Sequence, residues 1–387
     1  MPKYTLDPSL LHENGRPAVF TPFVSGAPNG FFMTGTMARY VFVTDDTEIY
    51  VRAWSNEAER VSTLVAANTQ ICYRVNGKNR WGPLARLGDG VYKLSLVVPY
   101  GEATFAKTVE LFTPISTLSS YGAPLTGVWF TEIEALNSPI TFIAPVTTGA
   151  HRVIYSDSIG AGMFAINQLE SYAGLMKLGT SDQYNPKWKG AWVSGTAYAA
   201  GDLFSYSGST WKVLNAQVAG TLPTEGANFQ LRGFLGRVTL VAHGTRRLID
   251  DCNGSTAWTA FATYLASLNP TDTIIFIGVN DKGSAGSDTK TVYQANLTGL
   301  LNVFGTLNTN PVRVVSPLIT AAYETANANG DTLDDFRTGA QNAVTNTTNT
   351  HVSFVNGKTI LSLAGDDLME GLHPLTGGHR TIRLLLN

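Results

Sequence analysis

His151-Arg152-Val153-Ile154-Tyr155-Ser156-Asp157-Ser158-Ile159-Gly160-Ala161-Gly162 begins as a short apolar run and ends in small residues. The run from His151 to Ser156 has the length and the side chains of a buried strand. Asp157, Ser158 and the residues after them turn sharply into a helix. A serine at such a turn stands above the end of a sheet with its Oγ exposed. Backbone N–H groups at the positive end of the helix dipole point toward it. A hydroxyl alone is a weak nucleophile; it needs a base within hydrogen-bond reach and donors for an oxyanion.

Downstream, strands and helices alternate. Met163 to Lys177 has helical spacing. Strand Arg237 to Ala242 precedes a helix from about Ser255 to Leu268. Strand Thr273 to Gly278 precedes a helix from about Thr291 to Leu307. Strand Val312 to Ser316 precedes a helix from about Thr332 to Thr345. Strand His351 to Asn356 and a helix after Pro374 close the series. This alternation implies βαβ units and a parallel sheet covered on both faces. Ligands of such sheets bind at the carboxyl ends of the strands.

Those ends carry further chemistry. His373 lies in Leu368-Met369-Glu370-Gly371-Leu372-His373-Pro374, after the last strand, and is the candidate base. Glu370, three residues earlier, can fix the imidazole tautomer as the third member of a triad. Gly278-Val279-Asn280-Asp281 follows one strand, and the Asn280 amide can donate to an oxyanion. His243-Gly244-Thr245 follows another, and the bare Gly244 lets its N–H approach a reacting carbonyl.

Taken together, the Asp-Ser-Ile block, the glycine block, the Gly-x-Asn-Asp block and the acid-x-x-His-Pro block resemble the SGNH (GDSL) hydrolases. The resemblance covers roughly residues 150 to 387 without an insert described below. It implies a three-layer α/β sandwich. It also implies Ser158 as nucleophile, His373 and Glu370 as its partners, and the Ser158 N–H, the Gly244 N–H and Asn280 as oxyanion hole. No cofactor is implied. Ser156 stands where the family usually has glycine, and Glu370 where it usually has aspartate, so Asp367 or a carbonyl is an alternative third member.

Residues 1–148 read as an all-β, jelly-roll-like domain. Phe31 to Val43, Glu48 to Trp54, Gln70 to Val75, Val91 to Val98 and Ala106 to Phe112 are rich in β-branched and aromatic residues. Turn clusters such as Val75-Asn76-Gly77-Lys78 separate them. Residues 149–387 form the α/β domain, interrupted at 186–232 by a small β module holding Trp188, Trp192 and Trp211. A β domain before this α/β domain resembles the plan of family-two carbohydrate esterases, which remove acetyl groups from sugars. The insert resembles chitinase-type carbohydrate-binding modules, which also occur in phage tail proteins. These resemblances imply an acetylated polysaccharide partner, an extracellular or virion location, and a homo-oligomer or phage tail assembly.

Other features have plainer readings. Trp192 and Trp211 either stack on sugar rings or form the insert's core. Asp157 is counted with the substrate-facing residues, though its first task is to hold the turn. Arg246 and Arg247 are either solvated or contacts for an anionic glycan. His243 is a substrate contact or structural, and His151 and His379 are structural. The net charge of −2, without a Lys/Arg run, lacks the footprint of a nucleic-acid binder. No apolar stretch of membrane-spanning length is present. The pair Asp366-Asp367 has no neighbouring cluster with metal-ligand spacing. Cys72 and Cys252 lie too far apart in the chain to suggest a disulfide framework. The first residues lack the apolar core of a signal peptide.

Overall fold

The computed structural model describes residues 2–13, 37–55, 70–98, 106–113, 117–118, 124–126, 128–162, 165, 168–242, 246–283, 288–320, 323–361, 368–369 and 372–386. A five-stranded sheet forms the centre of the C-terminal half. Its order is Arg237–Ala242, His151–Ser156, Asp272–Phe276, Val312–Val315 and Val352–Val355. All four pairings are parallel, and Ser156 stands in register with Ala242 on one side and Phe276 on the other.

Every residue of His151–Ser156 is buried, as a strand covered on both faces requires. Side chains alternate between the two faces. Ile154, Ile274 and Phe276 pack with helices Tyr172–Asp182 and Thr376–Leu386. Val153, Tyr155 and Ile275 pack with helices Ser255–Ser267, Lys290–Leu307 and Leu333–Asn346. Each fully buried aliphatic side chain contributes roughly 1.5–3 kcal/mol. The sheet order puts the first strand between the second and the third, and this is the point where ligands gather in open α/β sheets.

One helix differs from its expected place. Helical spacing begins at Met163, but the regular helix runs Tyr172–Asp182. Gly162, at φ 83°, ends the preceding turn, and the Ser171 side chain accepts the Gly174 N–H to start the next. Capping outweighs apolar periodicity here.

The described N-terminal strands form two larger antiparallel sheets and a separate two-stranded ladder of Thr117–Leu118 with Pro124–Thr126. One larger sheet pairs Lys3–Thr5, Val128–Ala135, Glu48–Ser55 and Gly88–Ser95; the other is built around Arg39–Thr44, Lys107–Phe112 and Gln70–Val75. Phe42, Val75 and Val109 from one sheet meet Val51, Leu94 and Ile133 from the other in a shared core. Lys78–Leu84, whose polar composition hides it, is an added strand. It returns from Gln70–Val75 through Asn76 and Gly77, both at positive φ, as a two-residue hairpin turn demands.

Between the halves lies a buried ionic network. Glu13 binds Arg39 at 3.1 Å and Lys177 at 2.7 Å, and Arg39 also pairs with Glu110. Ser181 donates to Glu110 at 2.8 Å, while Arg74 donates to Ser181 at 2.6 Å and to the Gly174 carbonyl at 3.0 Å. Lys177, Ser181 and Gly174 all belong to the Tyr172–Asp182 helix, so charge and hydrogen bonding tie that helix to the β sheets.

The segment 188–234 is a four-stranded sheet with its own core of Tyr198, Phe204, Val213 and Phe229. Trp192 and Trp211 pack half-buried against that core. Trp192 meets Tyr206 edge-on at 5.4 Å, and the Trp211 indole donates to the Tyr206 carbonyl. Of the two roles expected for these rings, the packing accounts for the core role. Both cysteines are buried.

Candidate active site

Ser158 opens a single helical turn, Ser158–Ala161, two residues past strand His151–Ser156. Its neighbours hold that turn. The Asp157 carboxylate accepts the Ile159 N–H at 2.9 Å and is only 2% exposed. Burial pushes the Asp157 carboxyl up to about 7. This corrects the expectation that Asp157 faces substrate: its carboxyl is folded into the turn beneath Ser158.

Ser156, the other serine of the motif, is fully buried and donates to the Phe276 carbonyl at 2.7 Å. Its hydroxyl is a strand-to-strand tie. Gly160 makes room for it, since a Cβ at residue 160 would sit 2.2 Å from the Ser156 Cβ. The added atoms of Ser156 thus fit against a glycine four residues later.

Across the sheet edge, His373 Nε2 lies 3.0 Å from Ser158 Oγ. His373–Pro374 pairs with Leu368–Met369 as a two-residue antiparallel ladder, and the long C-terminal helix begins at Thr376. Burial pushes the imidazole down to about 4. It is therefore neutral at pH 7, and Nε2 can accept the serine proton. Glu370 and Asp367, the two candidates for the third member, lie outside the described residues.

Asn280 sits in the short helix Val279–Gly283 that follows strand Asp272–Phe276. Its Nδ2 donates one hydrogen to the Arg246 carbonyl at 3.1 Å, which fixes the amide and leaves the second hydrogen for another acceptor. The next residue, Asp281, is buried, and its carboxylate accepts the Leu248 N–H with both oxygens. Burial pushes its carboxyl up to about 8. Gly278, at φ +127°, is required on two counts: a side chain is strained there, and a Cβ would meet the Tyr293 hydroxyl at 2.8 Å. Gly244 and His243 lie outside the described residues, two and one positions past the end of Arg237–Ala242.

The arginines beside that loop are structural. Arg246 is buried, pairs with Asp251 at 2.6 Å and lies over the Tyr155 ring, while Tyr155 donates to the same Asp251 at 2.7 Å. Arg247 pairs with Asp250. This Tyr155–Asp251–Arg246 group escaped the sequence analysis. It supports the carbonyl that holds Asn280, and an arginine five residues before an aspartate was its only signal. His379 is buried, stacks on Tyr172 and accepts the Tyr172 N–H; His151 contacts Thr239. Among the described residues, no group of His, Cys, Asp and Glu could hold a metal ion. No described helix is long and apolar enough to cross a membrane.

No protein-family model matches the sequence, and no curated protein does. Solved structures do resemble the fold. The salicylyl-acyltransferase SsfX3 of a tetracycline biosynthetic pathway superposes with a TM-score of 0.63 at 12% identity, covering 99% of this chain and 95% of its own. A GDSL-like lipase from Bacteroides ovatus gives 0.64 at 10% identity, covering 100% and 95%. A family two carbohydrate esterase from Clostridium thermocellum, in complex with cellohexaose, gives 0.55 at 15% identity, covering 97% and 96%. The fold is therefore that of SGNH-type hydrolases, and the likeness extends over both halves of the chain.

Proposed function

We propose that this chain is a serine esterase that removes O-acetyl groups from a polysaccharide. The observation that carries this is the 3.0 Å contact between Ser158 Oγ and a neutral His373 Nε2 at the carboxyl edge of the sheet. The carbohydrate part of the proposal draws support from the likeness to a carbohydrate esterase that binds cellohexaose.

In this mechanism Ser158 Oγ attacks the acetyl carbonyl as His373 Nε2 takes its proton. The Ser158 N–H, the Gly244 N–H and the second Nδ2 hydrogen of Asn280 stabilise the oxyanion. His373 then gives the proton to the leaving sugar hydroxyl. Water attacks the acetyl-enzyme with His373 again as base and releases acetate. Glu370 or Asp367 orients the imidazole.

Two expected results follow from this geometry. Asn280→Ala lowers kcat on p-nitrophenyl acetate by about 10²–10³-fold, the usual effect of losing one oxyanion donor; a change below threefold removes Asn280 from the mechanism. The profile of kcat/KM against pH stays level down to the acid range. It falls as His373 takes a proton, near pH 4 rather than at the usual 6.5. A midpoint at or above 6.5 contradicts a buried, neutral base.

The direct test treats the full chain with a fluorophosphonate probe and maps the adduct by mass spectrometry. Labelling at Ser158, with acetate released from an acetylated oligosaccharide, supports the proposal. A chain that neither labels nor hydrolyses is a glycan binder on an inert hydrolase fold.

A further inference from the structure

A cleft of about 640 Å³ opens away from Ser158, where the N-terminal sheets, the Tyr172–Asp182 helix and the inserted sheet meet. Its volume falls among ordinary ligand clefts, which span about 300–1,000 Å³. Six cations line it: Lys78, Lys187, Lys212, Arg232, Arg380 and Arg383. Glu170 is the one acid among its described lining residues. The acids nearby are already committed. Glu170 pairs with Arg380 at 3.1 Å, Asp182 pairs with Arg232 at 3.1 Å, and Glu225 accepts the Leu231 N–H.

Arg383 is the central observation. It is 7% exposed, forms no ion pair among the described residues, and its Nε has no hydrogen-bond partner there. Nη1 donates to the Leu231 carbonyl at 2.6 Å. Burial disfavours its charge most, Glu225 nearby favours it in part, and Arg232 and Arg380 close by oppose it. A buried guanidinium with no direct ion pair is costly, and a bound anion relieves that cost. Lys187 and Lys212 likewise form no ion pair among the described residues and add positive potential at the rim.

The rest of the lining suggests what carries the anion. Asn79, Asn185 and Gln230 offer amides that match sugar hydroxyls, and Leu175, Leu178 and Leu231 offer apolar surface to sugar C–H faces. No aromatic side chain is among the described lining residues, so the stacking platform of single-stranded nucleic-acid binders is missing there.

We propose that this cleft binds the carboxylate-bearing units of an acidic glycan, as a second site that recruits the polysaccharide to the esterase. The glycan part of this inference rests on the proposed function; the anionic part rests on the cleft alone. Arg380 and Arg383 ride on the helix that begins three residues after His373.

The test is calorimetric titration of the full chain with hexagalacturonate, cellohexaose and a short oligothymidylate. Hexagalacturonate is expected to bind, more weakly as salt rises, and cellohexaose at least tenfold more weakly. Lys187→Glu combined with Lys212→Glu is the surface pair, Lys187 being exposed and Lys212 half-buried. The pair is expected to weaken hexagalacturonate by roughly tenfold or more, because like charges then face the ligand. Arg383→Gln is expected to weaken it similarly, with the surface pair as the check against misfolding. Hydrolysis of p-nitrophenyl acetate by the surface pair is expected to stay unchanged, so loss of binding and loss of esterase chemistry are read separately. Absence of hexagalacturonate binding, equal binding of cellohexaose, tighter binding of oligothymidylate, or an unaffected surface pair would each overturn the proposal.

Discussion

Ser158→Ala is expected to lower kcat for p-nitrophenyl acetate by about 10⁵–10⁶-fold, the scale seen when a triad nucleophile is removed from a serine hydrolase. The geometry explains why the loss is concentrated in one atom. Ser158 Oγ is the group within 3.0 Å of His373 Nε2, whereas Ser156 Oγ is turned into the sheet toward Phe276. Ser156→Ala is therefore expected to keep most activity and to lose about 1 kcal/mol of stability, the net worth of one buried hydrogen bond. Ser158→Ala should unfold at nearly the wild-type midpoint, because its hydroxyl serves chemistry rather than packing. Measured kcat and urea midpoints for the two variants separate the roles. Full activity in Ser158→Ala, or its loss in Ser156→Ala alone, would reverse the assignment of nucleophile.

Arg39→Met is expected to destabilise the chain by about 3–5 kcal/mol, the usual cost of removing one partner from a buried ionic group. Arg39 holds both Glu13 and Glu110, each no more than 1% exposed at the side chain. The methionine fills the space but leaves Glu110 with the Ser181 hydroxyl, and Glu13 with Lys177 and the Val238 N–H. Urea unfolding of the full chain measures the effect; a loss below 1 kcal/mol would mean that the network adds little to the union of the two halves. Arg39→Lys should fall between the two, since one ammonium cannot serve two carboxylates as a guanidinium does.

The same network gives stability a pH dependence of known sign. Burial works to raise the Glu13 carboxyl, but Arg39 and Lys177 outweigh it and hold the group down to about 2, below its usual 4.5. Its contribution is therefore complete above pH 4.5 and is lost as pH falls toward 2. His373 acts in the same direction between 6.5 and about 4, because the native state resists its protonation.

Much of the catalytic half could be read from local pattern. The apolar runs around Ile154, Leu240, Ile275 and Val314 are short, bounded by turn residues and separated by helical spacing, and each became a parallel strand. Strand Val128–Ala135 escaped notice, because Thr131, Glu132 and Glu134 interrupt its apolar residues on the side away from the core. The Tyr172–Asp182 helix was displaced because a cap at Ser171 involves one hydrogen bond that periodicity does not register.

The sequence by itself determined the order of strands and helices, the loops that carry Ser158, Asn280 and His373, and the glycine at 278. Each depends on residues within one strand, one turn or one helix, where side-chain period and backbone preference act locally. The resemblance already pointed to Ser158, but only the tertiary structure shows that Ser156 is a tie, since that depends on which hydroxyl faces Phe276 and which faces a histidine 215 residues away. Only the tertiary structure paired Glu13, Arg39, Glu110 and Lys177, and gathered Lys187, Lys212 and Arg383 around one cleft. Charges recognise one another by distance in space, and at such separations along the chain that distance is set by packing.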